Sequence, residues 1–147
     1  MGRVKRPTFY SLYKDLTNKI NNLKKIYRTI DSVKGQNYDV TILSGSNYKK
    51  SMVEEAILKK EELTEEINTL ENLYYYIGEL LFDLGFHLGL INIEYYQSYD
   101  IITGKLKGKS DDILKKGYSK VKYEYMENLG LNYLRERLKE KNIEFNF

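Results

Sequence analysis

Seven lysines fall between Thr103 and Tyr123 against two aspartates, and their neighbours suggest what chemistry they could serve. Ser110 to Lys116 reads as a short helix begun by Ser110 or Asp111. Gly117 and Tyr118 form a turn, and Ser119 caps a longer helix carrying Tyr123, Met126, Leu129, Tyr133, Leu134 and Leu138. A short helix, a glycine-containing turn and a longer helix make the outline of a helix-turn-helix. In that motif the second helix enters the major groove by its N-terminal end, while lysines, hydroxyls and helix N-termini hold phosphates. The spacing assigns Lys120 and Lys122 to the groove and Tyr118 and Ser119 to its edge. Lys105, Lys107, Lys109, Lys115 and Lys116 then follow the phosphate backbones of double-stranded DNA. The competing reading is plainer: in a lysine-rich chain the same residues can be ordinary solvated surface.

The remaining chemistry-bearing residues point to no reaction. The doublets Glu54–Glu55, Glu61–Glu62 and Glu65–Glu66 put carboxylates on one helical face, but carboxylate metal sites in helical bundles add histidines at Glu-x-x-His spacing, and none is present. A solvated or lysine-paired face is the expectation. Glu79, Asp83 and His87 align on one face if their helix continues, and His87 is expected to be a packed or capping histidine. Gly108-Lys109-Ser110 echoes the end of a phosphate-binding loop, but the required first glycine falls on Thr103 and no apolar strand precedes it. With one histidine, nucleophilic catalysis has no visible base. No enzyme, cofactor or metal is expected.

Two long helices must carry this C-terminal segment. From Thr8, apolar residues recur at three- and four-residue steps, Phe9, Leu12, Leu16, Ile20, Leu23, Ile26, Ile30 and Val33, predicting one helix that stops at Gly35. Gly35 to Asn47 has no period and reads as a loop. Ser51 and Glu54 have capping-box spacing, with Asn47 as an earlier possible start, and Val53, Ile57, Leu63, Ile67, Leu70, Tyr74, Ile77, Leu81 and Leu84 continue the second helix. The charge reinforces the pairing. It is +5 over Thr8 to Lys50 and −7 over Ser51 to Asp83, whereas the +5 block from Thr103 to Tyr123 has no acidic neighbour in sequence. The expected seam uses Leu16, Leu23, Ile30, Ile57, Ile67 and Leu70 in an antiparallel, coiled-coil-like hairpin. Tyr74 to Leu81 extends that seam into a broad apolar patch, which predicts a homodimer. Gly85 and Gly89 predict a bend or hinge, since each costs about 1 kcal/mol relative to alanine in a helix. Leu90 to Ile102 is then one helix and Thr103 to Lys109 a loop.

The 147 residues suffice for one domain or two small ones, and 31% charged residues with one proline favour helices. The absence of cysteine excludes disulfides and thiolate metal sites and fits a cytoplasmic protein. The basic start, Met1 to Pro7, lacks a following apolar region, so no secretory leader is expected, and Arg6 excludes the myristoylation pattern. The most apolar stretch, Ile77 to Ile93, contains Glu79, Asp83 and His87. A membrane span would bury such charges at about 2.5–3.5 kcal/mol each, so the stretch reads as protein interior and no membrane partner is expected.

Asp39-Val40-Thr41 followed by Ser44-Gly45-Ser46, Glu55-Ala56-Ile57 with Lys59-Lys60-Glu61-Glu62-Leu63, and Ser110-Asp111-Asp112-Ile113 with Gly117-Tyr118-Ser119 together form a pattern. In layout and in these residues the chain resembles the phage and prophage late transcription regulators of the ArpU and RinA type. Their helical hairpin precedes a helix-turn-helix similar to region 4 of sigma factors. The resemblance implies an all-α fold: a long antiparallel helical hairpin over 1–84, followed by a small C-terminal helix-turn-helix bundle over 85–147. It also implies sequence-specific DNA binding and transcription regulation, with RNA polymerase or another host protein as a further partner. Three features depart from the pattern. Ile113 and Ser119 are one residue closer together, Leu114 replaces a small residue, and Glu124 replaces a basic one. The rival class is a non-enzymatic helical interaction module, such as a phage-encoded inhibitor of a host nucleic-acid-handling complex.

Overall fold

The structure, a computed structural model, describes residues 8–44 and 47–145, with side chains described for 8–30 and 53–145. The basic start at 1–7 and the residues Gly45 and Ser46 lie outside the described residues, as does the side chain of Ser51 in the expected capping box. The fold is all-α. Helix α1 spans Phe9–Ser44 and α2 spans Asn47–Phe82. A π-helical turn, Asp83–Leu88, and a further helical turn, Gly89–Ile91, continue from α2. Then come α3 (Ile93–Leu106), α4 (Asp111–Leu114) and α5 (Lys120–Lys139).

Thr8 starts α1 by accepting the Ser11 backbone N–H at Oγ1, 3.2 Å away, which satisfies one of the donors a helix start leaves open. The helix does not stop at Gly35. It runs to Ser44, and α2 begins at Asn47, so most of the expected loop is helical. A single glycine costs only about 1 kcal/mol in a helix, too little to end one whose neighbours continue it.

The chain divides into two compact units, Leu16–Leu73 and a second made of Met1–Asp15 with Tyr74–Phe147. In the first unit Leu16, Ile20, Leu63 and Ile67 are buried, and Leu23, Ile30 and Leu70 are half-buried. Ile57, expected in the seam, is 40% exposed. The basic and acidic helices meet as their charges predict: Lys19 lies 3.7 Å from Glu66, Lys24 lies 3.0 Å from Glu71, and the Lys60 ammonium stands over the Tyr27 ring.

In the second unit the core contains Phe9, Ile77, Leu80, Leu81, Leu84, Ile101, Ile102, Met126, Leu131, Leu134 and Leu138. At Gly85 and Gly89, where the sequence predicts a bend or hinge, the chain stays helical but departs from the regular α-helix in the π turn Asp83–Leu88. Gly85 lies beneath the Tyr99 ring, where a Cβ would come within 2.6 Å of ring carbon, and the chain passes it in the wider π turn. The break comes at Asn92, whose backbone is extended and whose side chain caps α3 by accepting the Glu94 N–H at 3.0 Å. Helix α3 runs on to Leu106, so Thr103 to Leu106 are helical rather than loop. At the far end of α5, Asn142 adopts φ 61° and the Ile143 N–H returns to the Leu138 carbonyl, a Schellman-type closure in which asparagine tolerates the left-handed conformation. That turn leads to Phe145, whose buried ring lies 5.5 Å from the Phe9 ring. Among the described residues no helix is long and apolar enough to cross a membrane.

Candidate nucleic-acid interface

The segment from α3 to α5 closes around α4. Ser110 occupies the cap position of α4 with extended backbone, and the Lys115 N–H returns to the Asp111 carbonyl at 2.8 Å. Gly117, at φ 90°, reverses the chain, a conformation that costs a glycine little and other residues more. Ser119 then caps α5, its Oγ accepting the Lys122 N–H at 3.1 Å. The short helix, turn and capped longer helix expected from the sequence are therefore present.

What holds α4 down is partly apolar. Leu114 sits over Gly104, so close that a Cβ there would meet Leu114 Cδ2 at 2.4 Å. Leu114 and Tyr118 pack against buried Ile101, Tyr123 and Met126. Gly104 supplies the room that Leu114 needs.

The rest is a polar network that the sequence did not reveal. Lys105 Nζ lies 3.1 Å from Asp111 Oδ1 and 2.5 Å from Glu127 Oε2, with the Tyr10 ring 5.1 Å away. Tyr10 donates its hydroxyl to Glu127 at 2.5 Å, and Tyr123 donates to Asp111 at 2.8 Å. One ammonium thus serves two carboxylates, and two phenols complete their shells. Burial pulls the Lys105 ammonium down, but its bonds to Glu127 and Asp111 outweigh that and hold it above the ordinary lysine value. The bonds from Tyr123 and Lys105 hold the Asp111 carboxyl below the usual range. Burial, then the bond to a carboxylate, pushes Tyr10 and Tyr123 well up.

Two of the lysines expected at DNA are engaged within the chain. Lys105 is on the last turn of α3, not in a loop, and is turned inward with its side chain only 23% exposed, tying α3 to Asp111 and Glu127. Lys122, on the first turn of α5, is bonded to Glu94 of α3. That bond lowers the Glu94 carboxyl and raises the Lys122 ammonium. The carboxylates that neutralise these lysines lie up to 28 residues away in sequence, beyond the reach of a local charge count.

The other candidates remain on the surface. Lys107, Lys109, Lys116 and Lys120 are exposed, Lys115 is half-buried, and none of the five is ion-paired among the described residues. They lie on the turns bounding α4 and at the start of α5. Tyr118 is half-buried against the core cluster, and Ser119 is exposed with its Oγ accepting the Lys122 N–H. The outward face of α5 carries Val121, Glu124, Tyr125 and Asn128, all exposed, and so is not uniformly basic.

His87 is neither packed nor a cap. It is exposed, with Nδ1 2.6 Å from Asp83 Oδ1 and its ring edge-on to Phe82. Among the described residues no group of acidic and histidine side chains could hold a metal ion. No family model, no curated protein and no solved structure matches this chain.

Proposed function

We propose that this protein is a cytoplasmic DNA-binding transcriptional regulator, of the kind carried by phages or mobile elements, that grips duplex DNA through the lysine edge around α4. The observation that supports this reading is that Lys107, Lys109, Lys115, Lys116 and Lys120, beside the capped start of α5, form no ion pair among the described residues, whereas Lys105 and Lys122 are held by carboxylates. Lysine and helix N-termini bind phosphate oxygens as point charges and dipoles, which suits backbone gripping. Lys120 is the open candidate for base contact. Lys122 reaches bases only by leaving Glu94. The exposed glutamates Glu54, Glu55, Glu61, Glu62 and Glu65 on α2 offer an acidic face for RNA polymerase or another host protein.

A salt titration against random duplex DNA tests the reading. Each phosphate neutralised contributes about −0.9 to the slope of log affinity against log salt, so five lysines give a slope of roughly −4 to −5. Absence of binding at low salt would remove the regulator reading. The second reading, a non-enzymatic module that blocks a host nucleic-acid-handling complex, then takes its place. It is favoured by the Lys122–Glu94 pair and Glu124, which reduce the positive charge of the groove-facing helix.

A further inference from the structure

The sequence placed self-association at Tyr74 to Leu81, but Ile77, Leu80 and Leu81 are buried inside the second unit and cannot meet another molecule. The exposed apolar surface lies just beyond. Phe82, Phe86, Leu90, Ile91, Ile93 and Tyr96 are all exposed, Leu90 by 86% and Ile91 by 82%. They form one ridge. The Phe82 and Phe86 rings are 4.9 Å apart, Phe86 lies 6.2 Å from Tyr96, and Tyr96 packs against Gly89 beside Leu90. The π turn, a rare distortion found frequently at functional positions, carries Phe86 outward while it buries Leu84 and Gly85.

We infer that this ridge is the interface of a symmetric homodimer, with a second copy of the chain as its occupant. The first reason is area. From their fractional exposures, the six residues leave on the order of 700 Å² facing water, above the roughly 300–600 Å² of the largest patch on an ordinary monomer and close to the about 800 Å² each partner gives a stable interface. The second is charge. Glu94 at the Ile93 end of the ridge is already paired with Lys122, so carboxylates border only the Phe82 end, where Glu79 is exposed and Asp83 is bonded to His87. The third is shape. Phe82 also lines an open groove of about 580 Å³ with Tyr13, Tyr74, Tyr75, Gly78 and Glu79. Protrusion and recess therefore adjoin, an arrangement that suits an isologous contact, in which the same patch meets itself.

Sedimentation of the full chain across the micromolar range tests this. The native protein is expected to be a dimer. Leu90→Lys and Ile91→Lys should weaken the dimer at least tenfold while leaving helicity unchanged, because both side chains are already in water. Ile113→Lys, at an exposed apolar position on α4 at the other end of α3, should leave the dimer intact. Hydrogen exchange should show concentration-dependent protection centred on residues 82–96 and the adjoining groove at 74–79. A native chain that stays monomeric, ridge variants that still dimerise, or protection located elsewhere would overturn the inference. DNA binding is read on the separate lysine edge, so the two outcomes are independent.

Discussion

Gly130 of α5 faces Ser98 of α3 so closely that a Cβ at position 130 would fall 2.0 Å from the serine Oγ. The two small residues let α3 and α5 approach there, and this contact positions the helix whose first turn belongs to the lysine edge. The approach has a cost: the Ser98 hydroxyl is fully buried and has no hydrogen-bond partner among the described residues.

Ser98→Ala should therefore hold or raise stability, since a buried unsatisfied hydroxyl costs about 1–3 kcal/mol. Gly130→Ala should destabilise by about 1–3 kcal/mol through overpacking, despite alanine's better helix propensity. Urea unfolding of both variants checks the pair. A Gly130→Ala protein more stable than the native chain would contradict the packing described.

The first unit offers a graded series. Ile67→Ala should cost about 2–5 kcal/mol because the side chain is buried, whereas Ile57→Ala should stay within about 0.5 kcal/mol because position 57 already faces water. Equal losses at the two positions, measured by thermal or urea melts, would show that the seam is drawn wrongly.

The network around Lys105 predicts two pH limits. Asp111 titrates lower in the folded chain, so its contribution is present above the ordinary carboxylate value of about 4 and is lost as pH falls through its folded value. Lys105 and Tyr10 titrate higher when folded. Their contribution is complete below their ordinary values of about 10 and is lost as pH rises through the folded ones. Stability measured against pH should show a plateau between these limits, and Asp111→Asn should reduce the acid-side dependence, to which Glu94, also held low, contributes separately.

The lysines should divide by role in DNA binding. Lys116→Ala should make the salt slope shallower by about one, while Lys105→Ala should leave the slope unchanged and lower thermal stability. Fluorescence anisotropy at several salt concentrations separates them. A shallower slope for Lys105→Ala would return that residue to the interface.

Glu94→Gln should release Lys122 and steepen the same slope by about one, with tighter binding at low salt. An unchanged slope would mean that Lys122 does not reach phosphate even when free.

Much of the scaffold was legible in one dimension because it depends on local chemistry. The spacing of Leu16, Ile20, Leu63 and Ile67 determined which faces are buried, and opposite net charge brought lysines of α1 to glutamates of α2. Ser119 and Gly117 fixed the start of α5, since capping and positive φ depend on residue type at one position. Helix ends were harder to read. Gly35 reads as a stop and Gly85 and Gly89 as a bend or hinge, but a glycine costs only about 1 kcal/mol in a helix, too little to end one by itself, and the break falls at Asn92. Tertiary structure alone decided which charges are free. Lys105 and Lys122 look like Lys107 and Lys120 in a local count, yet the first two are met by Glu127 and Glu94, carboxylates brought in by the packing of α3 against α5. It decided likewise that Ile77 and Leu81 lie inside while Leu90 and Ile91 face water, because hydrophobicity fixes a preference for burial but only the arrangement of neighbouring elements supplies the cover.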